Sequence, residues 1–288
     1  MNVLSLFDGI SCGRIALERA GIEVDNYFAS EIDKYAIQVS KHNYPDIIHL
    51  GDINDWETWK LPKIDLIIGG SPCQGFSFAG KGLNFDDPRS KLFFKFVDIV
   101  NHYKPKYFML ENVKMKKESE NVITKMLGVE PIEINSALVS AQNRVRKYWT
   151  NIQNLNQPED KKIFVDSILE SGNHIAARRG RYIVDVKRMD NKQLKKNLTK
   201  QYIEFRKDSK SNCLTTVSKD NVVVNEILNN RVLDSEIEWR YLTRLEYERL
   251  QTVPEGYTNS VSESQAKKML GNGWTVDVIV HILKNMEV

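Results

Sequence analysis

Five short apolar runs in the first 110 residues, alternating with helix-like stretches, limit what this chain can fold into. Val3-Leu4-Ser5-Leu6-Phe7, Asn26-Tyr27-Phe28-Ala29-Ser30, Asp46-Ile47-Ile48-His49-Leu50, Ile64-Asp65-Leu66-Ile67-Ile68 and Tyr107-Phe108-Met109-Leu110 read as strands. Arg14 to Ala20 reads as a helix stopped by Gly21, a C-cap, and Lys34 to His42 as one closed before Pro45. Leu92 to His102 carries helical periodicity through Leu92, Phe93, Phe96, Val97 and Val100. This order predicts an α/β fold with a doubly wound, mostly parallel sheet and its site at the strands' C-terminal ends.

After about Asn154 the alternation fails. Residues 154–238 are polar and irregular, with strand-like pieces at Arg181-Tyr182-Ile183-Val184 and Val222-Val223-Val224, and read as a small inserted domain. Helical character returns within 239–288, leaving 1–153 as the main domain. From His174 to Lys210 twelve basic side chains face four acidic ones, a local charge of +8 in a chain of net charge +3, so the remainder carries −5. One basic segment on an acidic body points to a polyanion partner. No run approaches the roughly 18 apolar residues of a membrane span, and the first residues lack a signal peptide's basic start and cleavage site, so a cytoplasmic location is expected. The three cysteines, Cys12, Cys73 and Cys213, are too widely spaced to suggest a disulfide framework or a zinc site.

Each chemically suggestive motif directly follows a strand. Phe7-Asp8-Gly9-Ile10-Ser11-Cys12-Gly13 is a glycine turn that lets the backbone approach a ligand at a helix N-terminus. It lacks the phosphate-loop pattern G-x-x-x-x-G-K-[ST], and also the dinucleotide pattern G-x-G-x-x-G. Glu31 stands where an acidic residue takes ribose hydroxyls, and Asp52, in Gly51-Asp52-Ile53, could accept from an adenine amine. Together these favour an adenosine-bearing cofactor. Gly69-Gly70-Ser71-Pro72-Cys73-Gln74-Gly75-Phe76-Ser77 sets a cysteine just past a strand end with Pro72 stiffening the backbone before it, a suitable place for a nucleophile. Alone, such a cysteine is more often a small buried hydrophobe. Glu111-Asn112-Val113 puts a partly desolvated carboxylate after the next strand, suited to engaging a ring nitrogen. In Gln142-Asn143-Arg144-Val145-Arg146 two arginines at i and i+2 share one face of a strand and can grip an anion.

In this order the motifs resemble those of the DNA (cytosine-5)-methyltransferases over nearly the whole chain. The likeness rests on Phe7-Asp8-Gly9, Glu31, Gly51-Asp52-Ile53, Gly70-Ser71-Pro72-Cys73, Glu111-Asn112-Val113, Gln142-x-Arg144-x-Arg146 and Gly271-Asn272. Arg244-Leu245-Glu246-Tyr247-Glu248-Arg249-Leu250-Gln251-Thr252-Val253-Pro254 resembles the family helix that organises the recognition domain. The resemblance implies a Rossmann-like fold of the class I S-adenosylmethionine-dependent methyltransferases, with 154–238 as target-recognition domain and 239–288 returning to the catalytic body. It implies double-stranded DNA as substrate, S-adenosylmethionine as methyl donor with S-adenosylhomocysteine as product, no metal, and a cognate restriction endonuclease as a possible partner.

By the same resemblance Cys73, Glu111, Arg144 and Arg146 are catalytic. Cys73 attacks C6 of a cytosine turned out of the helix, Glu111 engages N3, and C5 takes the methyl group. Phe7 packs on the cofactor, Glu31 holds its ribose, Asp52 and Ile53 its adenine, and Asn272-Gly273-Trp274 closes the pocket, with Leu92 as an apolar wall. Asp8, Gly9, Ile10, Ser11, Ile32 and Ser71 complete the cofactor set. Gln74, Ser77, Arg178, Arg179 and Arg181 are the expected DNA contacts. Three features depart from the family pattern: Ser11 stands at the usual second glycine, Trp274 resembles the animal de novo enzymes, and the recognition segment is short and unlike a known one. Two rivals share the core. A transfer-RNA-type cytosine methyltransferase is weakly echoed at Cys213-Leu214-Thr215, without the Cys-Phe-Thr string, and a non-catalytic DNA-binding homologue has no need of the full catalytic set.

Overall fold

The computed structural model describes residues 1–71, 88–182, 199–227 and 231–287; Cys73, Gln74 and Ser77 lie outside them, as does the side chain of Arg181. The chain begins with β1 (Asn2–Leu6), α1 (Cys12–Ala20), β2 (Asn26–Ser30), α2 (Lys34–Asn43), β3 (Ile48–Gly51) and β4 (Leu66–Gly70). Then follow α3 (Pro88–Tyr103), β5 (Tyr107–Val113), α4 (Lys117–Leu127), β6 (Ile132–Asn135) and β7 (Val145–Thr150). The seven strands form one sheet in the order β3-β2-β1-β4-β5-β7-β6, parallel except for β7, which runs against both its neighbours.

Both faces of this sheet are covered, which is why its strands read as nearly continuous apolar runs. Ile15, Leu17 and Val3 join the C-terminal helix residues Val278 and Ile279 in one core. Leu4, Leu6 and Ile67 meet Phe93, Phe96 and Trp56 in the other. Gly21 ends α1 in the left-handed conformation (φ 74°), as its position predicts.

Two strands are longer than the sequence suggests. β4 continues past Ile68 through both glycines, since Gly69 pairs with Leu110 and Gly70 with Glu111. A Cβ on Gly69 would lie 2.9 Å from the Leu6 carbonyl oxygen, so the sheet closes there only around glycine. β5 runs to Val113, which places Glu111 inside a strand rather than after one.

The inserted segment also differs from expectation. It is not irregular: β8 (His174–Tyr182), β9 (Thr199–Phe205), β10 (Val222–Val224), β11 (Arg231–Leu233) and β12 (Trp239–Tyr241) form an antiparallel sheet ordered β11-β9-β8-β10-β12. Its last strand falls within the stretch that the sequence assigns to returning helices. Those helices are α5 (Arg244–Leu250), α6 (Glu263–Asn272) and α7 (Val276–Leu283). A capping box between Thr243 and Glu246 fixes the start of α5, and α7 packs against α1. Among the described residues no helix is long and apolar enough to cross a membrane.

Candidate active site

A cavity of ≈ 390 Å³ opens at the C-terminal ends of β1, β2, β4 and β5, where an open α/β sheet places its ligands. The turn after β1 forms its floor. Phe7 (φ 57°), Gly9 (φ 60°) and Ser11 (φ 60°) all adopt left-handed backbone there. Of these, Phe7 and Ser11 are strained relative to glycine, and the Ser11 side chain compensates by donating to Asp8 Oδ2 at 2.5 Å and meeting Ser40 Oγ at 2.7 Å. Tyr27 donates to Asp8 Oδ1 at 2.8 Å. The Asp8 carboxylate is therefore held beneath the turn, and Ser11 is fully buried away from the cavity.

Burial pushes the Asp8 carboxyl from 3.8 up to about 6, against the opposing pull of the Ser11 and Tyr27 hydrogen bonds. Between those values the folded chain keeps a proton that the unfolded chain has released. Stability therefore falls as pH rises through that window and levels off above it. At ~1.4 kcal/mol per pH unit the loss approaches about 3 kcal/mol. Asp8→Asn, neutral throughout, is expected to lose about 2–3 kcal/mol less than the parent between pH 4 and 7 in urea unfolding. An equal pH response in the two proteins would contradict a carboxyl that stays protonated this far.

Glu31 binds the floor to the next wall. Its Oε2 accepts from Gly9 N at 2.8 Å, and its Oε1 from Ile32 N and Asp33 N at 2.7 and 2.8 Å. Asp33 caps α2 through Tyr35 N and pairs with Lys268 Nζ at 3.0 Å, joining two walls of the mouth. Not every expected cofactor residue lines the cavity. Ile32 is exposed, Ile53 is buried in the core, Leu92 packs on that core, and Asp52 caps the turn Ile53–Thr58 by accepting from Asn54 N. Phe7, Asp8, Gly9, Ile10, Glu31, Ser71 and Asn272 to Trp274 do line it.

The reversed direction of β7 brings Arg144 and Arg146 to the same end of the sheet as Glu111. Val113 pairs with Arg146 and Glu111 with Tyr148, so Glu111 and Arg146 share a face across the ladder. Arg146 Nε lies 2.9 Å from Glu111 Oε1, and Trp274 Nε1 donates to Oε2 at 3.1 Å. The buried carboxylate is thus held on both oxygens. Gly70 makes room for this: a Cβ there would stand 2.9 Å from Trp274 Nε1 and 3.0 Å from Glu111 Oε2. Burial lowers the affinity of Arg146 for its proton, but the Glu111 carboxylate outweighs it and leaves the pKa above the ordinary guanidinium value.

Arg144 does different work. Its Nη1 donates to Leu214 O (3.0 Å) and Gly271 O (3.3 Å), and its Nη2 to Gly273 O (2.8 Å). It fastens Leu214 and the C-terminal end of α6 to the main sheet beside β7. Burial, with Arg146 beside it, lowers its pKa. Asn112 Nδ2 donates to Ser71 Oγ at 3.1 Å and holds the backbone that leads toward Cys73.

Gln251 and Cys213 shape the site through contacts that no local motif announces. Gln251 Nε2 donates to the carbonyls of Leu270 and Gly273, and its Oε1 accepts from Gln142 Nε2 and Thr275 Oγ1. Cys213 Sγ accepts from Arg144 Nη1 at 3.2 Å and from Arg146 Nη2 at 3.6 Å. Arg178 stands apart from the cavity, ion-paired to Asp234 at 2.7 Å with its guanidinium 4.8 Å over the Trp239 ring. Arg179 also lies on the small sheet.

Comparison with solved structures identifies the fold as that of the class I methyltransferases. A putative DNA modification methyltransferase encoded within an Escherichia coli prophage superposes with a TM-score of 0.67 over 99% of this chain and 98% of that one, at 19% identity. In sequence, the family model described as C-5 cytosine-specific DNA methylase matches residues 1–215 and 123–288. The type II methyltransferase M1.ScrFI of Lactococcus lactis subsp. cremoris is 34% identical over 314 residues, covering 99% of this chain and 77% of the relative. The orphan methyltransferase M.SPRI of Bacillus phage SPR is 36% identical over 166 residues, covering 53% of this chain and 38% of its own length. The chain belongs to the C-5 cytosine-specific DNA methylase family.

Proposed function

We propose that this chain methylates C5 of cytosine in double-stranded DNA through a transient bond between Cys73 and C6, with S-adenosylmethionine as donor. The observation that carries this reading is the Glu111 carboxylate, clasped between Arg146 and Trp274 on the wall of the cavity whose floor is the Phe7–Ile10 turn. The residues present fit the cofactor. Glu31 offers carboxylate oxygens for ribose hydroxyls, while Phe7, Ile10 and Met269 supply apolar surface and Gly9 leaves the backbone open to close approach. S-adenosylmethionine, when bound, supplies an electrophilic methyl group.

Cytosine C5 is a poor nucleophile, and the protein's own residues must change that. The Cys73 thiolate adds to C6, and Glu111 engages N3 as charge builds on the ring, so the electron pair becomes available at C5. Once C5 is methylated, a base removes its proton, the C5–C6 double bond re-forms and Cys73 leaves. Arg146 keeps Glu111 oriented, and Trp274 fixes its second oxygen. The target base must leave the duplex first, at a cost of a few kcal/mol. The likeness to a type II methyltransferase over most of the chain supports a restriction-modification role with a cognate endonuclease as partner.

Expression in methylation-deficient cells followed by bisulfite sequencing tests the reading. Protected cytosines are expected in one short recurring sequence context. Protection no greater than in cells carrying an empty vector would overturn the proposal.

A further inference from the structure

The Asp8 carboxyl is buried with no cation to answer it. Among the described residues no lysine, arginine or histidine is ion-paired with it. Its side-chain hydrogen bonds come from the neutral hydroxyls of Ser11 and Tyr27. Asp8 is only 8% exposed, yet it belongs to the turn that lines the cavity. A carboxyl set this deep is screened little by water or salt, so a charge arriving in the cavity acts on it strongly.

Ser11 stands where the family pattern has glycine, and it holds φ 60° despite the strain. Its hydroxyl supplies a reason. Ser11 Oγ lies between Asp8 Oδ2 and Ser40 Oγ of α2, and Ser40 Oγ lies 3.4 Å from His49 Nε2 on β3. A hydroxyl both donates and accepts. With Asp8 ionised, Ser11 donates to it and accepts from Ser40. With Asp8 protonated, the carboxyl donates to Ser11, and Ser11 donates to Ser40. Both states keep every contact, so the carboxyl gains or loses its proton while the turn stays as it is.

The other ionisable groups around Asp8 are differently placed. Burial pushes the Cys12 thiol up to about 12 and holds the Tyr27 and Tyr257 hydroxyls above their ordinary range. Glu31 is the neighbouring carboxylate, held by three backbone N–H groups. Arg144 and Lys268 line the same cavity, but they are spent on backbone carbonyls and on Asp33. His49, at the far end of the hydroxyl chain, has its pKa lowered by burial and by Lys41.

We propose that Asp8 distinguishes the methyl donor from the spent product: its ionised form favours the sulfonium cation of S-adenosylmethionine over the neutral thioether of S-adenosylhomocysteine, and binding of the donor releases its proton to solvent. The proposal rests on S-adenosylmethionine being the cofactor, and it is argued from charge complementarity between an unpaired buried carboxyl and a cationic ligand. Loss of the methyl group removes the sulfonium charge, so Asp8 regains a proton from solvent, and the attraction that favoured the donor ends.

The test is the ratio of the S-adenosylhomocysteine and S-adenosylmethionine dissociation constants, measured by calorimetry on the full chain. A carboxyl with a pKa of about 6 is largely protonated at pH 5 and largely ionised at pH 7, so the ratio is expected to rise about fivefold across that range, with about tenfold as the ceiling. At pH 6, in two buffers of different ionisation enthalpy, the donor is expected to release about 0.4 of a proton more than the product does. D8N still accepts from Tyr27 and donates to Ser11, but it has no proton to lose in this range. It is expected to give a flat ratio and no extra proton. S11G suits the left-handed turn and removes a hydrogen bond that favours the ionised carboxyl. It is expected to move the midpoint of the rise to higher pH, which keeps the test usable if D8N does not fold. A flat ratio in the parent, or an unmoved midpoint in S11G, overturns the assignment. An equal rise in D8N also overturns it and places the titration at His49 or Glu31. The two readings fail separately. A parent that binds both ligands with a flat ratio refutes only the role of Asp8, whereas a parent that binds neither refutes the cofactor as well.

Discussion

Cys73→Ser is expected to lower methyl transfer to DNA by at least 10³-fold while S-adenosylhomocysteine binds within about threefold of the parent. A thousandfold loss corresponds to about 4 kcal/mol of transition-state stabilisation. The reason is chemical. A thiol with an ordinary pKa of about 8.5 already supplies some thiolate at neutral pH, and cationic neighbours raise that fraction. A serine hydroxyl at the same position supplies almost no alkoxide and leaves C6 unattacked. The cofactor side of the cavity is built from the Phe7–Ile10 turn, Glu31 and the Asn272–Trp274 loop, none of which depends on the sulfur. Single-turnover methylation with tritiated cofactor measures the first quantity, and calorimetry the second. DNA carrying 5-fluorocytosine gives an independent readout, because C5, once methylated, has no proton to lose: the parent should form a covalent adduct only when S-adenosylmethionine is present, and Cys73→Ser should form none. Turnover of the variant within tenfold of the parent would refute attack by Cys73.

What was legible in the sequence follows from the range of the interactions involved. β2 and β10 were readable to the residue, because apolar runs bounded by polar turns are local signals. The placement of Glu31 at the cavity is legible for the same reason, since it directly follows a strand that can be recognised alone. The position of Glu111 inside β5 was not, because Asn112 and Val113 become strand only by pairing with Lys147 and Arg146 of the reversed β7. The small sheet read as irregular because its strands carry charge on the face that does not pack, which blurs the alternation. Charge alone also grouped Arg178 with Arg179, although the side-chain alternation of β8 sends them to opposite faces. Arg144 looked like half of an anion grip. Its partners Leu214, Gly271 and Gly273 are 70 to 129 residues away, and nothing local announces a guanidinium spent on backbone carbonyls.

Glu111→Gln is expected to lower the methylation rate by 10²–10³-fold, in the range of a lost acid–base contribution, with DNA affinity within about threefold of the parent. The substitution keeps the shape but changes the hydrogen-bond inventory. The carboxylate accepts from both Arg146 Nε and Trp274 Nε1, whereas an amide has one acceptor oxygen and one donor nitrogen. Its oxygen will turn to the charged guanidinium, and its NH2 then faces the indole N–H. This donor-to-donor contact, together with the missing charge beside buried Arg146, is expected to cost about 2 kcal/mol of stability. A chemical role and a positional role would both slow the enzyme, so the rate alone does not separate them. Trp274→Phe placed on Glu111→Gln removes the conflicting donor and should restore part of the stability. If Glu111 acts on the cytosine ring itself, the rate stays low in the double variant, because no carboxyl has returned. A double variant that recovers its rate along with its stability would show instead that Glu111 serves to hold Trp274 and Arg146 in place, and that the ring is engaged by some other group.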